Sequence, residues 1–303
     1  MIVSQLSSSQ LRATLAGPGL RLRTGPFSCS LRSDIPGLAD ALAPLYAHHA
    51  LAEADAFIDF HVKVGAGRGL RRWIRPQAHF SVDEVRPFTP LPMDQALPMI
   101  EWGLNWCVTA YSHHQLILHA AAVEKNGRAA ILPAPPGSGK STLCAALVNR
   151  GWRLLSDELT LVDLASGAIH GLARPVNLKN ASIEVIRGFA PGAYLSAPVH
   201  DTTKGTVALM APGIDSVQRL DQPAAPRWMV LPRYRAAAAT RLAPMPPGAA
   251  FMQIADNAMN YHILGAAGFA AVGALVDRCL HYDFEYSSLD EAIAVFDDLA
   301  GRD

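Results

Sequence analysis

The chain has 303 residues, half of them hydrophobic and 17% charged, with 26 basic residues set against 26 acidic ones. That length supports one large domain or two smaller ones, and the composition excludes long disorder. With no excess positive charge to attract a phosphate backbone or an anionic membrane, neither nucleic acid nor membrane is an expected partner.

Residues 1–10 carry no basic stretch followed by an apolar one, so no secretory signal is read and a cytoplasmic location is expected. Apolar residues alternate over 27–31 and 56–64, as in strands. Between them Leu38, Leu42, Leu45 and Tyr46 recur at helical spacing. The turn-rich run 86–92 then breaks the pattern and marks a boundary, giving a small mixed α+β N-terminal domain at 1–92 and a second unit at 93–303. Residues 93–112 show a helical face of Leu97, Ile100, Leu104 and Val108 suited to bridging the two parts. Cys29, Cys107, Cys144 and Cys279 lie far apart, without metal spacing, and are expected to be reduced thiols.

Two apolar runs, 116–124 and 128–132, flank Lys125-Asn126-Gly127. Asn-Gly signals a type I′ hairpin, because both central residues need positive φ. Such a turn pairs Lys125 with Arg128 and sets His119 opposite Ala134, at the start of the next motif. Ordinarily a histidine on an apolar strand is a core residue satisfied by a backbone carbonyl; this register favours a place in a site.

After the second strand comes Ala134-Pro-Pro-Gly-Ser-Gly-Lys-Ser-Thr142, followed by Leu143, Leu147, Val148 and the terminator Gly151 at helical spacing. Strand, glycine-rich loop and helix make a Walker A site for a nucleoside triphosphate, expected at Pro136, Gly137, Ser138, Gly139, Lys140, Ser141 and Thr142. Backbone N–H groups turn toward phosphate oxygens and the helix adds its positive end. Lys140 reaches the β- and γ-phosphates, and Ser141 offers a hydroxyl to Mg²⁺. The pattern normally opens with glycine, and Ala134 tolerates positive φ less well. The plain alternative is a glycine-rich turn that binds nothing; the flanking strand and helix favour phosphate.

The run 151–158 reads as a short apolar strand ending in Asp157 and Glu158. Acids at the carboxyl end of such a strand face the ligand side of an α/β sheet. One would hold Mg²⁺ and the other take the proton of an attacking hydroxyl, so Asp157, Glu158 and Ser141 are the candidate metal set. A solvated turn is the alternative for an isolated acid pair.

His119, the phosphate loop and the acid pair, with 21 residues from His119 to Lys140 and 17 from Lys140 to Asp157, resemble the HPr kinase/phosphorylase catalytic domain and its group of HPr kinase-related kinases. The resemblance covers 116–164 and not 1–90. It implies an α/β fold, an HPr kinase/PEP carboxykinase-like P-loop kinase domain, with ATP and Mg²⁺ as ligands. It implies Asp157 as the base activating a serine hydroxyl, Glu158 in place of a second aspartate, and His119 as the histidine contacting the catalytic acid. Residues 174–180 and 201–207 look like motifs of the related-kinase group. The expected function is transfer of the γ-phosphate to a hydroxyl, on a serine of a peptide, a protein or free serine. A regulatory or assembly ATPase without acceptor and a kinase of another small molecule stay open, as does a homo-oligomer.

Among lesser candidates, Lys204, Lys179 and Arg174 are either phosphate or acceptor clamps or ordinary turn residues. Trp102, Asn105 and Trp106 fit packing between the two parts best. His113-His114 lacks further ligands for zinc. Residues 243–248 read as a loop, 263–276 as a buried helix too short to span a membrane, and Ser288-Leu-Asp-Glu291 as a capping box.

Overall fold

The computed structural model describes residues 1–67, 69 and 74–302. Its strands build a mixed α/β fold with four sheets among the described residues. The first has the order Leu20–Thr24, Phe27–Ser33, Phe60–Ala66, Gln77–Val82, Leu91–Pro92. Phe27–Ser33 and Phe60–Ala66 are parallel, so the chain needs a crossover, which the helix Leu38–Leu45 supplies. Across this sheet lies the helix Ala96–Tyr111, with Leu97, Ile100, Leu104 and Val108 all buried. They share one core with Leu22 and Phe80 before them and Ile117, Leu161 and Leu209 after them, so the helix does bridge the two parts of the chain.

A six-stranded sheet forms the centre, in the order Arg241–Pro244, Leu280–Tyr286, Ala225–Tyr234, Arg128–Pro133, Ala120–Lys125, Arg153–Ser156. Asn126 and Gly127 take φ of 56° and 79°, and the ladder runs from Lys125↔Arg128 to Ala120↔Pro133, the register the turn demands. The ladder stops there, which corrects the placing of His119 opposite Ala134. The apolar run breaks at His119 into two strands, and Gln115–Leu118 joins Thr160–Asp163 and Ile169–His170 in a separate sheet. Buried Asn260 holds it there: its Oδ1 accepts from the Ile117 amide at 3.0 Å and its Nδ2 donates to the Gln115 carbonyl at 2.8 Å.

Alternate residues of the central hairpin serve opposite faces. Ala121, Val123, Ala130 and Leu132 pack with the helices Lys140–Val148 and Leu289–Gly301, while Ala120, Ala122, Ala129 and Ile131 face Pro247–Asn257 and Ala266–Arg278. A sheet covered on both sides explains runs without polar alternation. Trp152 packs edge-on against Phe296 and Trp228, with centroids 5.7 and 6.2 Å away. Burying a side chain such as Phe296 contributes roughly 1.5–3 kcal/mol.

Some expectations need correction. The segment 263–276 is not one buried helix: it breaks at Gly265, Val272, Leu275 and Val276 are buried, and Ile263 and Phe269 are exposed, because it covers one face of the sheet from outside. The stretch 243–248 ends an edge strand at Pro244 and opens a helix at Pro247, where the missing N–H is harmless. Ser288 accepts from the Glu291 amide at 3.3 Å, but the Glu291 carboxylate goes to the Thr240 hydroxyl, so only half the capping box forms. Among the described residues no helix is long and apolar enough to cross a membrane, and the four cysteines are free and buried.

Arg128–Pro133, Ala225–Tyr234 and Leu280–Tyr286 run parallel. Arg153–Ser156 reaches the same direction through two antiparallel pairings. All four carboxyl ends therefore meet on one side, where ligands gather in α/β sheets. The fourth sheet, Val176–Lys179, Gly205–Met210 and Val199–Thr202, flanks that side.

Candidate active site

A cleft of about 1090 Å³ opens at these strand ends, lined by 135–142 together with His119, Glu158, Lys179 and Lys204. Gly137 and Gly139 take φ of 85° and 90°, and Gly139 caps the helix Lys140–Val148. Ala134 is buried and does not adopt positive φ, so alanine in the place of the usual glycine brings no strain. Two strand ends brace the loop: the Tyr234 amide donates to the Ser138 carbonyl at 2.9 Å and the Tyr286 hydroxyl to that of Gly139 at 3.1 Å. Nothing in the local sequence marks either tyrosine, since each comes from a remote parallel strand.

Lys140 is buried, with Nζ 3.2 Å from His119 Nε2. An ammonium only donates, so Nε2 accepts and the neutral ring carries its proton on Nδ1. Burial, then the Lys140 charge, push the imidazole down to about 4. Lys140 is itself lowered, chiefly by burial, against the pull of Asp157 and Glu158. The expectation that His119 contacts Asp157 is thus corrected. Its hydrogen bond goes to Lys140, and the carboxylate whose charge reaches it is Glu158, because the strand break turns the ring toward the loop.

The surroundings shift the two acids in opposite directions. Burial and then the Glu158 charge raise Asp157 above the ordinary carboxylate range, with Lys140 and the Asn177 amide opposing. That amide donates to Asp157 Oδ2 at 3.0 Å, while Oδ1 is buried without a partner. Burial works to raise Glu158 as well, but Lys204, Lys179 and Lys140 together hold it below its usual value. Lys179 Nζ donates to Glu158 Oε1 at 3.4 Å and Asn105 Nδ2 to Oε2 at 2.5 Å. Both acids border a small cavity of about 20 Å³, shared with Glu101, Asn105, Arg174 and Asn177, and Glu158 lines the large cleft as well, which Asp157 does not.

Trp102, Asn105 and Trp106 are not sealed between the two parts: all three line the cleft, with Phe88 5.9 Å from Trp106. Lys204 Nζ lies 5.0 Å from the Trp102 ring centroid and Lys179 pairs with Glu158, so neither is an idle turn residue. Arg174 is buried beside Glu101 and Asn105 and does not line the cleft that holds the glycine-rich loop, so it is not a clamp there.

The donor set fits a triphosphate with a hard cation. A Cβ at Gly137 would meet nothing within 4 Å, and Ser138 Oγ and Asp157 Oδ1 are buried without partners. Among the described residues no three His, Cys, Asp or Glu side chains converge on a metal position. Mg²⁺ needs no such cage, taking one or two carboxylates and completing its shell with phosphate oxygens and water.

A family described as SynChlorMet cassette protein ScmC matches residues 90–173, the stretch from the bridging helix through the glycine-rich loop and acid pair. No curated protein matches the chain. Among solved structures, the Hpr(Ser) kinase/phosphatase from Coxiella burnetii is similar at 12% identity and a TM-score of 0.26, over 62% of this chain and 99% of that one.

Proposed function

We propose that this chain is a Mg-ATP-dependent phosphotransferase that moves the γ-phosphate to a hydroxyl on a serine of a peptide, a protein or free serine. The observation that carries the proposal is a glycine-rich loop whose buried Lys140 shares one cleft with Glu158 and lies within electrostatic reach of both Glu158 and Asp157, the latter in the small cavity adjoining that cleft. The finer assignments, to an HPr kinase/PEP carboxykinase-like fold and to serine, rest on the residues and spacings of 116–164.

In this mechanism Gly137 to Thr142 hold the phosphates and Lys140 offsets charge on the β- and γ-oxygens. Ser141 and Glu158 would hold Mg²⁺, which when bound would supply charge neutralisation at the phosphates. Asp157, eager for a proton, takes it from the acceptor hydroxyl; the oxygen bonds the γ-phosphorus, and the bridging oxygen leaves on ADP with the electron pair. One observation favours a second division of labour: Glu158 lines the cleft and Asp157 does not, which suits Glu158 as base and Asp157 as the metal-side acid. The division at 1–92 and 93–303 belongs to the same proposal, with acceptor choice at the cleft end bordered by Phe88, Trp102 and Trp106.

The test is labelled ATP with a panel of serine-bearing peptides, proteins and free serine, followed by mass spectrometry of the product. Asp157→Asn is expected to lower transfer by about 10²–10⁴-fold with nucleotide binding largely kept. If Glu158→Gln shows that pattern and Asp157→Asn loses Mg-ATP binding, the second division holds. ATP hydrolysis with no acceptor labelled across the panel would favour a nucleotide-driven regulatory module.

A further inference from the structure

In the wall of the cleft, Glu158 is gripped by an amide from the bridging helix. Asn105 Oδ1 accepts from the Arg174 guanidinium, a group with donors only, so the amide's other end is left to donate and meets Glu158 Oε2 at 2.5 Å. Arg174 is fixed in turn: its Nη1 lies 3.4 Å from the Glu101 carbonyl oxygen and 3.7 Å from Glu101 Oε2. The Tyr46 hydroxyl donates to the same Glu101 carboxyl. Tyr46, Glu101 and Arg174 are each less than one-tenth exposed, so water competes little for these bonds. The series starts beside the N-terminal sheet and ends on a carboxylate in the cleft.

We propose that Asn105 is a positioning residue for Glu158, with Arg174 and Glu101 setting which way its amide points. The inference rests on the reading that Glu158 holds Mg²⁺. Lys179 donates to Oε1 while Asn105 anchors Oε2, and the two donors together define the plane of the carboxylate. Without Asn105 the group is free to turn toward Lys179 and Lys204, whose charges already act on it. Partners that orient a metal-binding carboxylate typically contribute about 10–100-fold in metal affinity or activity. The N-terminal part thereby acts on the phosphate end of the site as well as the acceptor end.

The full-length protein is titrated with Mg²⁺ at fixed ATP and binding is read by calorimetry, with KM for Mg²⁺ and kcat measured alongside. Asn105→Leu keeps the volume and removes both amide bonds. It is expected to raise the Mg²⁺ concentration for half-saturation by about 10–100-fold, with ATP binding in the absence of Mg²⁺ little changed. Asn105→Gln, carrying the same amide, is expected to recover part of the loss. A lower melting temperature with an unchanged Mg²⁺ requirement would mean a structural role only and overturns the proposal. If Asn105→Leu does not fold, Asn105→Ser, too short to span Arg174 and Glu158, carries the same expectation. Glu158→Gln separates the two levels. An unchanged Mg²⁺ requirement in that variant overturns its metal role and this inference with it. A requirement raised in Glu158→Gln and unaltered in Asn105→Leu overturns the positioning alone.

Discussion

Replacing each P-loop glycine with alanine tests the packing of the loop against the central sheet. Gly137 and Gly139 have nearly the same φ, 85° and 90°, so each alanine would suffer the same backbone penalty of about 1–2 kcal/mol. Their surroundings differ. A Cβ at Gly137 meets nothing within 4 Å; at Gly139 it would lie 2.6 Å from the Tyr286 hydroxyl oxygen and 2.9 Å from Tyr234 Cβ. Tyr286 has little room to yield, since its ring stacks on Phe284 with centroids 5.3 Å apart and is buried. Forcing a methyl into filled space adds about 1–3 kcal/mol. Gly137→Ala should therefore destabilise the nucleotide-free protein by about 1–2 kcal/mol and Gly139→Ala by about 2–5. Urea unfolding followed by circular dichroism and tryptophan fluorescence measures both. Tyr286→Phe alone loses one hydrogen bond, about 0.5–1.5 kcal/mol, yet combined with Gly139→Ala it removes the nearest clash, so the pair should cost less than the sum of the singles. Equal losses for the two glycine variants, or strict additivity of the pair, would refute the reasoning.

Lys140→Ala should remove most Mg-ATP binding by calorimetry, because the ammonium is the main side-chain charge at the loop; unchanged affinity in the folded variant would sink the site. Asp157, raised in the folded protein above its ordinary 3.8, keeps its proton longer than the unfolded chain does, so it lowers stability as pH rises through that window. Asp157→Asn should accordingly be more stable than the parent at neutral pH without nucleotide, with the gain fading below that value; melting curves across pH decide. His119 should titrate near 4 in imidazole NMR spectra, and between about 6.5 and 4 its reluctance to charge should cost stability as pH falls. A midpoint near 6.5 would place the ring in water instead. A chain beginning at Met93 should aggregate on size exclusion, because removing the first sheet bares Leu97, Ile100, Leu104 and Val108; a monodisperse, nucleotide-binding product would show the bridging helix to be self-sufficient.

Local chemistry made several features legible from sequence. The Asn126-Gly127 turn dictates its own register, since positive φ at two successive residues admits few other conformations. The glycine-rich loop, the helix after it and the strand before the acid pair follow from glycine placement and periodicity, and the buried face of Ala96–Tyr111 from its heptad-like spacing. Remote pairing decided the rest. His119 turned to Lys140 in a stretch held by remote residues: the preceding strand pairs with Thr160–Asp163 and is bonded by Asn260, and the His119 amide donates to the Asn257 carbonyl. Tyr234 and Tyr286 reached the loop only because parallel strands bring their ends together. Asp157 and Glu158, neighbours in sequence, are shifted in opposite directions because Asp157 lies in a buried pocket beside Asn177 with Lys140 as the cation acting on it, whereas Glu158 also reaches the cleft, where Lys204 and Lys179 add to Lys140. Sequence spacing carries the conformational limits of short segments; electrostatics and close approach depend on distances in space, which residues such as Asn105 and Arg174 acquire only once the whole chain has packed.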